Sequence, residues 1–88
     1  LHAAAPNPFN PTTTLKYDVA QSGRVTITIY NVQGKRVRTL YDDHRSRGKY
    51  EISWDGRDLN GLLISTGVYF IQLQSKTFRK TIKVLFLK

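Results

Sequence analysis

Leu15, Tyr17 and Val19 alternate with Lys16 and Asp18, and the same two-residue period returns five more times along the chain. A period of two marks a strand with one dry face and one wet face. Val25, Ile27 and Ile29 alternate with Thr26, Thr28 and Tyr30, in a run rich in β-branched residues. Val37, Thr39 and Tyr41 follow, set against Arg36, Arg38 and Leu40, then Tyr50, Ile52 and Trp54 around Glu51 and Ser53. Tyr69, Ile71 and Leu73 alternate with Phe70, Gln72 and Gln74; Phe78, Lys80, Ile82, Val84 and Phe86 form the last inward series. No helical stripe of useful length interrupts them. Leu62-Leu63-Ile64 predicts a short seventh strand.

The breaks carry turn chemistry. Asn31-Val32-Gln33-Gly34 suits a type I turn closed by a left-handed Gly34, which predicts a bulged hairpin. Asp42 to Gly48 reads as a polar, basic loop, and Asp55 to Thr66 as the longest irregular stretch. Ser75-Lys76-Thr77 reads as a short hairpin turn. Parallel strands need crossovers of about a dozen residues or more, and there is little room for them. The pattern therefore predicts an all-β, antiparallel sandwich.

At 88 residues the chain makes one domain, burying about 60–65% of the surface its unfolded form exposes. A net stability of about 4–13 kcal/mol follows for this size. There is no Cys, so the apolar core carries the stability without a disulfide or a thiolate metal site. No apolar run approaches the roughly 18–20 residues of a membrane span. Leu1 to Pro6 lacks the charged and apolar regions of a signal peptide, and its Ala-rich run ending in Pro6 reads as linker. We assign residues 1–6 to a linker remnant and residues 7–88 to a single domain cut from a longer protein. The net charge is +8, but Lys16, Arg24, Lys35, Arg36, Arg38, Arg79, Lys80 and Lys83 are spread over most strands. Nucleic-acid binding needs aromatics interleaved with a basic cluster, so none is assigned.

Candidate chemistry is sparse. His2 lies in the linker, and His44 stands among Arg45 and Arg47 in a basic loop. Asp42-Asp43 are adjacent rather than held apart as an acid/base pair requires. No phosphate loop, nucleophile elbow or His cluster occurs, so the reading is non-enzymatic, with no catalytic residue, metal or cofactor. Asp55-Gly56-Arg57-Asp58-Leu59-Asn60-Gly61 has calcium-loop spacing in part, but Arg57 intrudes and the distal bidentate Glu is missing. An Asx-stabilised turn is the simpler expectation. In Asn7-Pro8-Phe9-Asn10-Pro11 two prolines hold the backbone extended, and Phe9 is placed to plug the open end of a sandwich.

Taken in order, these pieces resemble a known family. Asn7-Pro8-Phe9-Asn10-Pro11 runs into Thr12-Thr13-Thr14-Leu15 and Tyr17, and Val25 to Ile29 into Tyr30-Asn31-Val32 and Gly34. Val37, Leu40, Gly48, Trp54-Asp55-Gly56 and Gly61 follow, then Ser65-Thr66-Gly67-Val68-Tyr69-Phe70 and the closing Lys83 to Lys88. From Asn7 to Lys88 the chain resembles the type A C-terminal sorting domain of the type IX secretion system. Trp54 to Leu73 also looks like the immunoglobulin-like domain of the flagellar hook-capping protein, which lacks the Asn-Pro-Phe-Asn-Pro start and ranks second. Two residues depart from the sorting family. Ser75-Lys76-Thr77 stands where a Gly is usual, and a left-handed Lys76 there would cost roughly 1–2 kcal/mol. Val84 replaces a usual Met.

The resemblance implies an immunoglobulin-like antiparallel β-sandwich of about seven strands, a monomer attached to an upstream cargo domain. Its implied function is that of a C-terminal signal recognised by outer-membrane type IX machinery. The cargo would travel through the periplasm to the cell surface or the medium. The implied recognition residues are Gly67, Val68 and Tyr69, with Lys80, Lys83 and Lys88 offering charge. The order Gly67-Val68-Tyr69 also suggests a tyrosine corner, a phenol tied to nearby backbone. The alternative is an accessory adhesion or carbohydrate-binding module of an extracellular enzyme, whose sign would be exposed Tyr30, Tyr41 and Tyr50 lining one face.

Overall fold

The computed structural model describes residues 1–4 and 12–87. The Asn7–Pro11 segment, with Phe9, and Lys88 lie outside the described residues. Among those described there are six strands and no helix: β1 (Thr13–Val19), β2 (Gly23–Asn31), β3 (Arg36–Arg45), β4 (Gly48–Trp54), β5 (Gly67–Ser75) and β6 (Arg79–Phe86). All pairings are antiparallel. β1 and β4 form one sheet, and β3-β2-β5-β6 the other.

The alternation settles which face of each strand is dry. Leu15, Tyr17 and Val19 of β1 face Val25, Ile27 and Ile29 of β2, Tyr69, Ile71 and Leu73 of β5, and Val84 and Phe86 of β6 across one core. Trp54, fully buried at the end of β4, is its largest side chain. Each buried Leu, Ile, Val or Phe contributes about 1.5–3 kcal/mol relative to exposure, and with no disulfide this burial is the main stabilising term. Leu1 and Ala4 also pack on the core, and the His2 amide donates to the Lys16 carbonyl at 2.8 Å.

Several sequence expectations change. Leu62 to Ile64 form no seventh strand: Leu63 makes one isolated bridge to Arg57 because the β4–β5 loop folds back on itself. Asp42 to Arg45 are strand rather than loop, leaving only Ser46 and Arg47 to link β3 to β4. β3 lies at the edge of its sheet, where charged side chains reach water and their polarity does not oppose pairing. The register of β3 against β2 shifts twice, so Thr39 faces outward beside Thr28 while Arg38 and Tyr41 oppose the inward Ile29 and Ile27. Phe78 belongs to the β5–β6 turn and is 48% exposed, not the first inward residue of β6. The Ser75 amide closes that turn on the Phe78 carbonyl at 2.7 Å. No described non-glycine residue has positive φ, so the strain expected at Lys76 is absent. Gly34 does close the β2–β3 turn at φ 81°, and the Asn31 carboxamide oxygen accepts from the amides of Gln33 and Lys35.

Candidate recognition site on the four-stranded sheet

Gly67, Val68 and Tyr69 open β5 and pair in register with Phe86, Leu85 and Val84 of β6. The first sequence element singled out for recognition thus pairs with the end of the strand that carries Lys80 and Lys83 of the second. Pleating gives the three residues different tasks. Gly67 has φ 159°, a backbone geometry that side-chain-bearing residues rarely adopt. Tyr69 points inward, its ring meeting Trp54 edge-on at 5.7 Å, and its hydroxyl donates to the Ser65 carbonyl at 2.8 Å. That bond ties β5 to the loop before it, as in a tyrosine corner, and burial holds the phenol above its ordinary pKa. Val68 alone turns to the outer face of the sheet.

The lysines do not make one patch. Lys83 pairs with Phe70 on the outer face, whereas Lys80, opposite Leu73, lies on the opposite side of β6 near the far end of the hairpin. On the outer face the register assembles a row through all four strands: Arg36 beside Tyr30, Tyr30 beside Phe70, Phe70 beside Lys83. Val68 and Leu85 form the next row. Leu85 is 37% exposed and Tyr30, Phe70 and Val68 are half-buried, so an apolar strip lies between two cations. Thr28, Gln72 and Thr81 make the row on the other side. Beyond it Arg24 donates to both Asp42 oxygens, at 2.8 and 2.9 Å, and holds that carboxyl below its ordinary range. The pair compensates charge there. Arg36 and Phe70 were not singled out in the sequence; only the register shows that they share this face.

The β4–β5 loop is built by its own carboxylates. Asp58 Oδ1 accepts from the amides of Asn60 and Leu62, and Asp55 Oδ1 from the Arg57 amide and from Arg38 at 2.7 Å. These are Asx turns, with the oxygens directed at backbone N–H groups. Among the described residues no three His, Cys, Asp or Glu are placed to hold a metal. The loop and β3 enclose an open cleft of about 440 Å³ lined by Leu59, Leu62, Ile64 and Tyr69.

Tyr41 and Tyr50 do not join Tyr30 on one face. The Arg45 guanidinium lies 4.3 Å from each of their ring centres and donates to the Tyr17 hydroxyl at 3.3 Å. Tyr17 and Tyr50 stack at 5.6 Å. Arg45 therefore clasps the two sheets together, a role its supposed loop position concealed.

The sequence profile of the FlgD Ig-like domain matches residues 8–78, most of the chain. The chain belongs to the FlgD Ig-like domain family. No curated protein matches it. Among solved structures this FlgD Ig-like domain superposes on dimeric latent PorU from Porphyromonas gingivalis with a TM-score of 0.70, at 20% identity over 97% of the chain. PorZ, described as an essential surface component of the type-IX secretion system of the same organism, gives 0.64 at 22% identity over 98%. FlgD from P. aeruginosa gives 0.65 at 22% identity over 84%. The chain corresponds to only 9% of the PorU chain, 11% of PorZ and 58% of FlgD. At these identities the likeness is one of fold, and it bears out the immunoglobulin-like architecture.

Proposed function

We propose that this FlgD Ig-like domain is a C-terminal sorting signal that directs a larger cargo protein through the outer membrane by the type IX secretion system. It acts as a non-catalytic address recognised by outer-membrane export machinery, and delivers cargo through the periplasm to the cell surface or medium. The observation that carries this reading is the extent of the fold likeness. The family match ends at residue 78, before β6, but the likeness to PorU and PorZ runs over 97% and 98% of the chain. β6 is the strand in which the sorting resemblance places its closing motif, and it pairs with Gly67-Val68-Tyr69. The adhesion or carbohydrate-binding alternative loses support, because Tyr41 and Tyr50 are taken up by Arg45.

The test is export of a reporter. Residues 1–88 fused behind a signal peptide and a reporter, in a cell with a working type IX system, should carry the reporter to the surface or medium. A reporter that stays in the periplasm would show that the domain is no sorting signal. Replacing Lys80, Lys83 and Lys88 by Gln tests whether their charge is recognised. Normal export of that variant would remove the lysines from the site and leave the signal itself intact.

A further inference from the structure

The outer face of the four-stranded sheet is covered by no other described element, and its two ends differ. At one end Arg24 and Asp42 satisfy each other. At the other, Tyr30, Phe70, Val68 and Leu85 stand between Arg36 and Lys83, with no carboxylate in these rows. Arg36 is exposed and has no acidic partner among the described residues. Folding gains little from placing two aromatic and two aliphatic side chains outward, where Thr and Gln serve the neighbouring rows. Aromatic residues and Arg are the residue types enriched at protein interfaces.

We propose that this end of the face is the surface by which the domain docks on its export receptor, a protein offering an apolar centre flanked by carboxylates. The proposal rests on the sorting reading and names the receptor's chemistry. Charge complementarity selects the occupant. A second copy of this +8 chain would bring cations against cations. A glycan stacks on flat aromatic rings, whereas half of this strip is aliphatic. A receptor with carboxylates spaced about 14 Å apart, the width of three strand-to-strand steps, would meet Arg36 and Lys83 together. The two rows span about 14 Å across the sheet and about 7 Å along it, a contact well below the usual 800 Å² or so per partner. That suits an address that must be released after use. Gly67 and Tyr69 then act as positioning residues that hold β5 in register, while Val68 and Lys83 make contact.

The test uses the reporter fusion of residues 1–88 with two outward-facing variants. Tyr30→Thr/Phe70→Thr replaces the rings by β-branched side chains that suit a strand, and Arg36→Glu/Lys83→Glu reverses the charge. A control, Lys16→Glu/Lys49→Glu, alters the other sheet. Circular dichroism melts of the purified variants establish folding, and the charge pair serves if the ring pair does not fold. Export at least tenfold below the unaltered fusion for a folded outer-face variant, with the control unaffected, is expected. If both outer-face variants fold and are exported normally, the docking surface is wrong and the sorting reading stands. If the unaltered fusion is not exported, both are wrong. Binding of the purified chain to lipopolysaccharide vesicles, abolished by these same substitutions, would assign the face to an anionic glycolipid and overturn the protein receptor.

Discussion

Trp54→Ala is the most demanding test of the core. The indole is fully buried, packs edge-on against Tyr69 at 5.7 Å, and donates from Nε1 to the Arg57 carbonyl at 3.0 Å. Removing a buried Trp side chain costs about 3–5 kcal/mol through lost transfer energy and the cavity left behind. The edge-on pair contributes about 0.5–1.5 kcal/mol more, and the Arg57 carbonyl is left with only the longer bond from Arg38 Nη1 at 3.5 Å. These contributions are not additive, so about 4–5 kcal/mol is expected. That is a large part of the about 4–13 kcal/mol available to a domain of this size. Trp54→Phe keeps most of the apolar area and loses the donor, so it should cost about 1–2 kcal/mol. Trp54 is the sole tryptophan, so urea unfolding should be followed by far-ultraviolet circular dichroism rather than fluorescence. An Ala variant within about 1 kcal/mol of the parent, the range of surface changes, would refute a Trp-centred core.

Three further outcomes are expected. Tyr69→Phe deletes the bond to Ser65 and should cost about 0.5–1.5 kcal/mol at neutral pH in the same urea assay. Because burial raises the Tyr69 pKa, the unfolded chain ionises first; stability should fall as pH rises above 10, and the gap to Tyr69→Phe should narrow there. A gap that widens instead would contradict the buried phenol. Gly67→Ala meets no close neighbour, its Cβ lying 4.0 Å from the Tyr69 ring, so any cost of about 1–3 kcal/mol comes from backbone conformation alone. An Ala variant as stable as the parent would show that β5 relaxes at its first residue. Arg45→Ala should lower the melting temperature and Arg45→Lys, which keeps the charge but not the flat stacking group, should fall between them. Equal melting of all three would leave the clasp without a role.

Most strands were legible because their physics is local. Val25, Ile27 and Ile29, or Tyr69, Ile71 and Leu73, declare a dry face by alternation alone, and Asn31 to Gly34 declares its turn by side-chain chemistry. Trp54 is legible as core because it ends the inward series Tyr50, Ile52, Trp54. The left-handed Gly34 follows from the turn that needs it. The stretch Trp54 to Leu73 likewise carries the resemblance to the FlgD Ig-like family, which the Asn7–Pro11 start ranks second.

What tertiary structure alone decided depends on partners far apart in the chain. The end of β3 looks like loop because Asp42, Asp43, His44 and Arg45 are polar, and it is strand because Arg24, Gly23 and their neighbours pair with it. Arg45 acquires its role from Tyr17, Tyr41 and Tyr50, contributed by three strands in two sheets. Lys80 and Lys83 look like one charged group in a list of residues, yet three steps along a strand of period two put them on opposite sides. The row Arg36, Tyr30, Phe70, Lys83 exists only because two bulges and three registers align it. Alternation fixes which side of a strand is dry, but what stands beside a residue is set by pairing energies summed along whole strands.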